Sequence, residues 1–121
     1  MINEFSLSCE VKKMSELTKK VCVACQGGIL PLKGDEIIKL LGELGGNWNV
    51  IEEHHLEKEF TFDDFAKALA FTNKVGAIAE QEQHHPDIQL SWGKVKITTY
   101  THKINGLHEN DFILAAKIDQ I

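Results

Sequence analysis

The chain is poor in the features that mark most special classes of protein. Its 121 residues include only 2 prolines and 3 cysteines, and its charge is tipped towards acid, with 13 Lys and Arg against 18 Asp and Glu for a net charge of −5. No apolar run approaches the roughly 20 residues that a membrane-crossing helix needs. The N-terminus breaks its apolar residues with Glu4, Glu10 and Lys12, so it lacks the core of a signal peptide. A shortage of cations opposes binding to a phosphate backbone, which Lys and Arg must neutralise, so nucleic acid is not an expected partner. The odd cysteine count, Cys9, Cys22 and Cys25, suits a reducing compartment better than a disulfide framework. A cytoplasmic protein with no membrane partner is expected.

What remains is an ordinary globular balance, 43% hydrophobic and 26% charged. A chain of this length buries about two-thirds of its extended surface in one core. Residues 1–33 are weakly periodic and end in Gln26-Gly27-Gly28-Ile29-Leu30-Pro31, so they read as an irregular arm. Within it, Cys22-Val23-Ala24-Cys25 has the spacing of half a zinc knuckle or of a redox pair. No second pair completes four ligands, so no metal is expected. Residues 34–121 read as a single domain.

From Asp35, apolar residues recur at helical steps (Ile37, Leu40, Leu41, Leu44) until Gly45-Gly46 stops the pattern. Trp48 and Val50, then Leu56, Lys58, Phe60 and Phe62 in alternation, predict two strands joined near Glu52 to His55. Thr61 with Asp64 resembles a capping box for a long Ala-rich helix, Phe62 to about Gln83, which Pro86 forces to end by His84. Ile88 to Trp92 and Lys94 to His102 read as a second hairpin around Gly93, and His108 to Ile118 as a last helix. Hairpins between helices predict an α+β fold: a four-stranded antiparallel sheet with three helices packed on one face, in the order α-β-β-α-β-β-α. Exposed sheet edges make a homo-oligomer an expectation. Trp48, Phe60, Phe65 and Phe71 are expected in the core.

Four of the six histidines fall between His84 and His108. The adjacent pair His84-His85 sits where a helix ends, so the dipole favours a charged imidazole, while two neighbouring rings resist being charged together. Such a pair can hold one acid and one base near neutral pH. Alone, it reads equally well as two solvated loop histidines. Glu80, one turn before His84, is placed to hold that ring or is a solvated helix charge. Alternation from Val95 and Ile97 puts Thr99 and Thr101 on one strand face and Tyr100 and His102 on the other, and the site is expected towards the latter face or the strand end. Asp111, in the first turn of the last helix, reads as a cap ahead of a substrate contact. His54-His55 is expected to be an exposed turn pair outside the site.

The run Glu80-x3-His84-His85-Pro86-x5-Trp92, followed by Val95, Ile97, Thr101-His102, Gly106-Leu107 and Asp111, resembles the pterin-4a-carbinolamine dehydratase family over about Asp35 to Asp119. The resemblance implies dehydration of a 4a-hydroxytetrahydropterin to the quinonoid dihydropterin, without metal or organic cofactor. It implies His84, His85 and His102 as the catalytic imidazoles. It also implies that the backbone near Tyr100 and Thr101 receives the pterin, and Glu80 and Asp111 are expected to complete the substrate surface. Dimers or tetramers are implied too. The alternative is a binding module, because that family also includes a dimerisation partner of a transcription factor that works through helix surfaces.

Overall fold

The computed structural model describes residues 17–22 and 29–121. Helix α1 spans Gly34–Leu44, with Asp35 and Glu36 in the first turn, where the helix dipole favours acid, and it turns Ile37 and Leu44 inward. Gly45, at φ 66°, supplies the left-handed residue that ends it. Strands β1 (Asn49–Ile51) and β2 (His55–Thr61) form the first hairpin. Helix α2 runs Phe65–Glu82, β3 is Asp87–Ser91, β4 is Lys94–Thr99, and helix α3 is Glu109–Asp119. A short 3-10 turn, His102–Ile104, lies between β4 and α3.

The sheet order is β1-β2-β4-β3, antiparallel throughout, so the α+β expectation holds. Leu56, Val95, Ile97 and Thr99 point to the covered face and are buried. Helix α3 is enclosed on all sides, from Asn110 through Ala116 and at Ile118, and both α1 and α2 pack against it. That helix therefore carries apolar residues around its whole circumference rather than along one stripe. Residues 17–19 add one helical turn, in which Leu17 is wholly buried in the same core.

Several local expectations are corrected. Helix α2 begins three residues after Phe62, because the Phe62 N–H donates to Gly93 O at 2.8 Å and stays with the sheet. Asp64, not Thr61, is its N-cap, accepting from the Lys67 N–H at 2.8 Å. Phe65 consequently starts the helix on its outer side and is 43% exposed, outside the core, whereas Trp48 and Phe71 are buried. Strand β4 stops at Thr99, so His102 sits in the 3-10 turn rather than on a strand face.

Candidate active site

The site forms where α2 ends. Gln83 takes a left-handed conformation (φ 55°), and its N–H and that of His84 both return to Ala79 O. This turn sends the next two side chains in different directions. His84 goes inward, with 11% of its side chain exposed, and its Nε2 lies 2.7 Å from Asp111 Oδ1. His85 turns back along the helix, and its Nε2 lies 2.6 Å from Glu80 Oε2. The expected Glu80–His84 partnership is thus a Glu80–His85 one, because the left-handed residue breaks the i,i+4 relation.

Asp111 has no exposure. Its Oδ1 also accepts from Thr99 Oγ1 at 2.7 Å, and its Oδ2 accepts from Thr101 Oγ1 at 2.9 Å and from the His108 N–H at 3.0 Å. The last of these is half of a capping box that starts α3. Asp111 therefore caps, as read from its position. Thr99 and Thr101 continue the inward row of Val95 and Ile97, and a polar residue on a buried row requires a polar partner.

His84, His85 and His102 line one pocket of ≈ 720 Å³, together with Thr101, Cys22 and Glu82. The pocket takes both Thr101 and His102, at the strand end, because the chain leaves β4 before His102. Glu80, Tyr100 and Asp111 stand behind His85, His102 and His84. The Thr101 main chain is engaged locally, its N–H donating to Gly106 O at 2.8 Å. Glu82 closes one wall: its Oε1 accepts from the Cys22 N–H at 2.9 Å, and its Oε2 from Lys117 Nζ at 2.6 Å. Burial raises the Glu82 pKa, but these two donors outweigh it, and the carboxyl is held below its ordinary range. Burial and the facing Glu82 carboxylate push the Cys22 thiol up to about 12. Cys9 and Cys25 lie outside the described residues.

A family model described as pterin 4 alpha carbinolamine dehydratase matches residues 30–121. The chain belongs to that family. Relatives include a Rubrobacter xylanophilus protein, 53% identical over 89% of this chain and 100% of that one, and a Rickettsia canadensis protein, 56% identical over 88% and 97%. Both are provisionally named pterin-4-alpha-carbinolamine dehydratase. Among solved structures, a transcriptional coactivator/pterin dehydratase from Brucella melitensis superposes with a TM-score of 0.69 at 30% identity, covering 74% of this chain and 96% of that one. A pterin dehydratase-like protein identified as a RuBisCO assembly factor in the alpha-carboxysome gives 0.54 at 25%, covering 64% and 90%.

The family stretch omits Val21 and Cys22, which lie in the arm yet line the pocket. Glu82 was also passed over, although a charge on the buried row Ala68, Phe71, Val75, Ala79 already called for a partner. The pair His54-His55 is half-buried rather than exposed, because Tyr100 and Asn105 come up against it.

Proposed function

We propose that this chain removes water from a 4a-hydroxytetrahydropterin, giving the quinonoid dihydropterin by histidine acid–base catalysis. The observation that carries this is the meeting of His84, His85 and His102 on one pocket, two of them backed by carboxylates. In the reaction the C4a–O bond breaks and the hydroxyl leaves as water, taking a proton from an acid. The N5 lone pair closes the N5=C4a double bond, and the N5 proton passes to a base. Nothing is oxidised or reduced, so positioned proton carriers suffice.

His84 and His85 carry the two protons in this reading. A carboxylate only accepts, so Asp111 and Glu80 each hold a proton on the Nε2 of the partner ring and leave Nδ1 to face the substrate. The ring that acts as acid enters the step protonated on both nitrogens and gives its Nδ1 proton to the leaving hydroxyl, and the other takes the N5 proton on Nδ1. His102 hydrogen-bonds the leaving hydroxyl or the pterin ring, and Thr101 and the adjoining Tyr100 border the bound substrate. Stopped-flow loss of the 4a-hydroxypterin absorbance tests the proposal. Acceleration proportional to protein concentration supports it, and a rate equal to buffer alone refutes it.

A second reading, association with a protein partner or with copies of itself as a homodimer or homotetramer, is favoured by apolar side chains left outside. Phe65 and Leu69 lie one turn apart on α2 at 43% and 40% exposure, and Trp92 is 69% exposed. Replacing Leu69 with Glu should lower the molar mass seen by light scattering. An unchanged mass rejects this surface as the contact.

A further inference from the structure

The second histidine pair, His54 at the end of the turn between β1 and β2 and His55 at the start of β2, has no part in the chemistry above, yet it reaches the turn that carries His102. His54 and His55 approach through their Nδ1 atoms at 3.0 Å, and His54 Nε2 lies 2.9 Å from Asn105 Oδ1. An amide oxygen only accepts, so neutral His54 carries its proton on Nε2 and accepts at Nδ1 from the His55 N–H. Both ring nitrogens are then committed and the ring plane is set.

That ring lies against Tyr100, with centroids 4.5 Å apart and planes tilted 41°. Tyr100 in turn lies against His102, at 4.3 Å and 40°. The hydrogen-bonded end of His54 acts on the same turn, because Asn105 is the left-handed residue (φ 50°) that closes His102–Ile104, its N–H donating to His102 O at 3.2 Å. His54 therefore meets the His102 turn twice, through the residue that ends it and through the ring beside the one it presents. The hairpin that offers His54 holds Glu52 and Glu53 at φ 52° and 57°, and non-glycine residues keep that conformation only where their surroundings hold it.

We propose that His54 is a positioning residue for the dehydration, orienting His102 through Tyr100 and Asn105; this rests on the reading that His102 belongs to the reacting site. His102 is exposed, and an exposed side chain samples several rotamers unless a neighbour restrains it. A ring free to turn away from the substrate weakens contacts made in the transition state more than ground-state binding, so the loss falls on kcat.

The test combines imidazole C–H resonances of the free protein with steady-state dehydration by wild type, His54→Ala, His102→Ala and the double variant. His54→Ala should displace the His102 resonance and leave that of His84 in place. It should lower kcat about tenfold with KM within about twofold. It should add nothing to the loss already caused by His102→Ala, which is the sign of acting through that ring. His54→Phe keeps a ring against Tyr100 but cannot bond Asn105, and should recover part of kcat; it also serves if the alanine variant unfolds. An unmoved His102 resonance, or losses that add in the double variant, overturns the proposal. A wild-type chain without turnover whose His102 resonance still moves in His54→Ala upholds the link between the rings and overturns only the dehydration reading.

Discussion

Asp111 and His84 join the start of the third helix to the end of the second: Asp111 Oδ1 lies 2.7 Å from His84 Nε2, inside a carboxylate site with no exposure. Four donors converge on those two oxygens, from His84, Thr99, Thr101 and the His108 backbone. Asp111→Asn replaces one acceptor oxygen by a donor and leaves buried donors facing it. It should destabilise the chain by about 3 kcal/mol and lower kcat as well, because the ring loses its orienting partner. Thermal unfolding and dehydration kinetics of the variant check this, and wild-type values in both contradict it.

Acid should find Glu82. Its carboxyl is held below the ordinary 4.5 by Lys117 and the Cys22 N–H despite burial, so as pH falls the unfolded chain takes up that proton first. Its stabilising contribution is complete above about pH 4.5 and is lost as pH drops through the lower folded value. Urea unfolding of wild type and Glu82→Gln should show a gap that is widest near neutral pH and narrows at pH 3. A gap independent of pH speaks against the ion pair.

A thiol pushed up to about 12 is protonated at neutral pH, and the thiolate is the species that reacts. Iodoacetamide at pH 8, read peptide by peptide in a mass spectrometer, should leave Cys22 unmodified in the folded chain and label it in urea. Folded-state labelling as fast as that in urea contradicts the raised thiol. Loss of the Cys22 thiol ionisation in the fold also means that stability declines above the ordinary value of 9.0.

Gly106 is a packing glycine: a Cβ there would meet Pro31 Cβ at 2.6 Å and Cγ at 2.9 Å. Pro31 precedes Leu32, whose N–H donates to Leu107 O at 2.9 Å, so Gly106→Ala pushes this connection off the domain. We expect about 1–3 kcal/mol of destabilisation, of the size found for overpacked sites. The urea midpoint measures it, and a wild-type midpoint rejects the contact.

The element order was legible because each strand and helix announces itself through local spacing, and both hairpins fall close to where alternation puts them. The start of α2 was not, because Thr61 and Asp64 satisfy a capping pattern while the Phe62 N–H is taken by Gly93, far away in sequence. The same limit applies to the site. Its three imidazoles were marked by the resemblance carried in His84-His85-Pro86 and Thr101-His102. The directions of the His84 and His85 rings depend on Gln83 turning left-handed, and that of His102 on the 3-10 turn closed by Asn105, which no spacing rule states. The half-burial of His54 depends likewise on Tyr100 and Asn105 arriving from another part of the chain.

The most direct measurement is the initial rate of 4a-hydroxypterin dehydration by His84→Ala/His85→Ala beside wild type, with circular dichroism confirming that both are folded. The account expects a fall of about 100-fold or more, the scale of general acid–base catalysis. A folded double variant that turns over within about twofold of wild type contradicts it, since that difference lies well below the scale of a lost proton carrier.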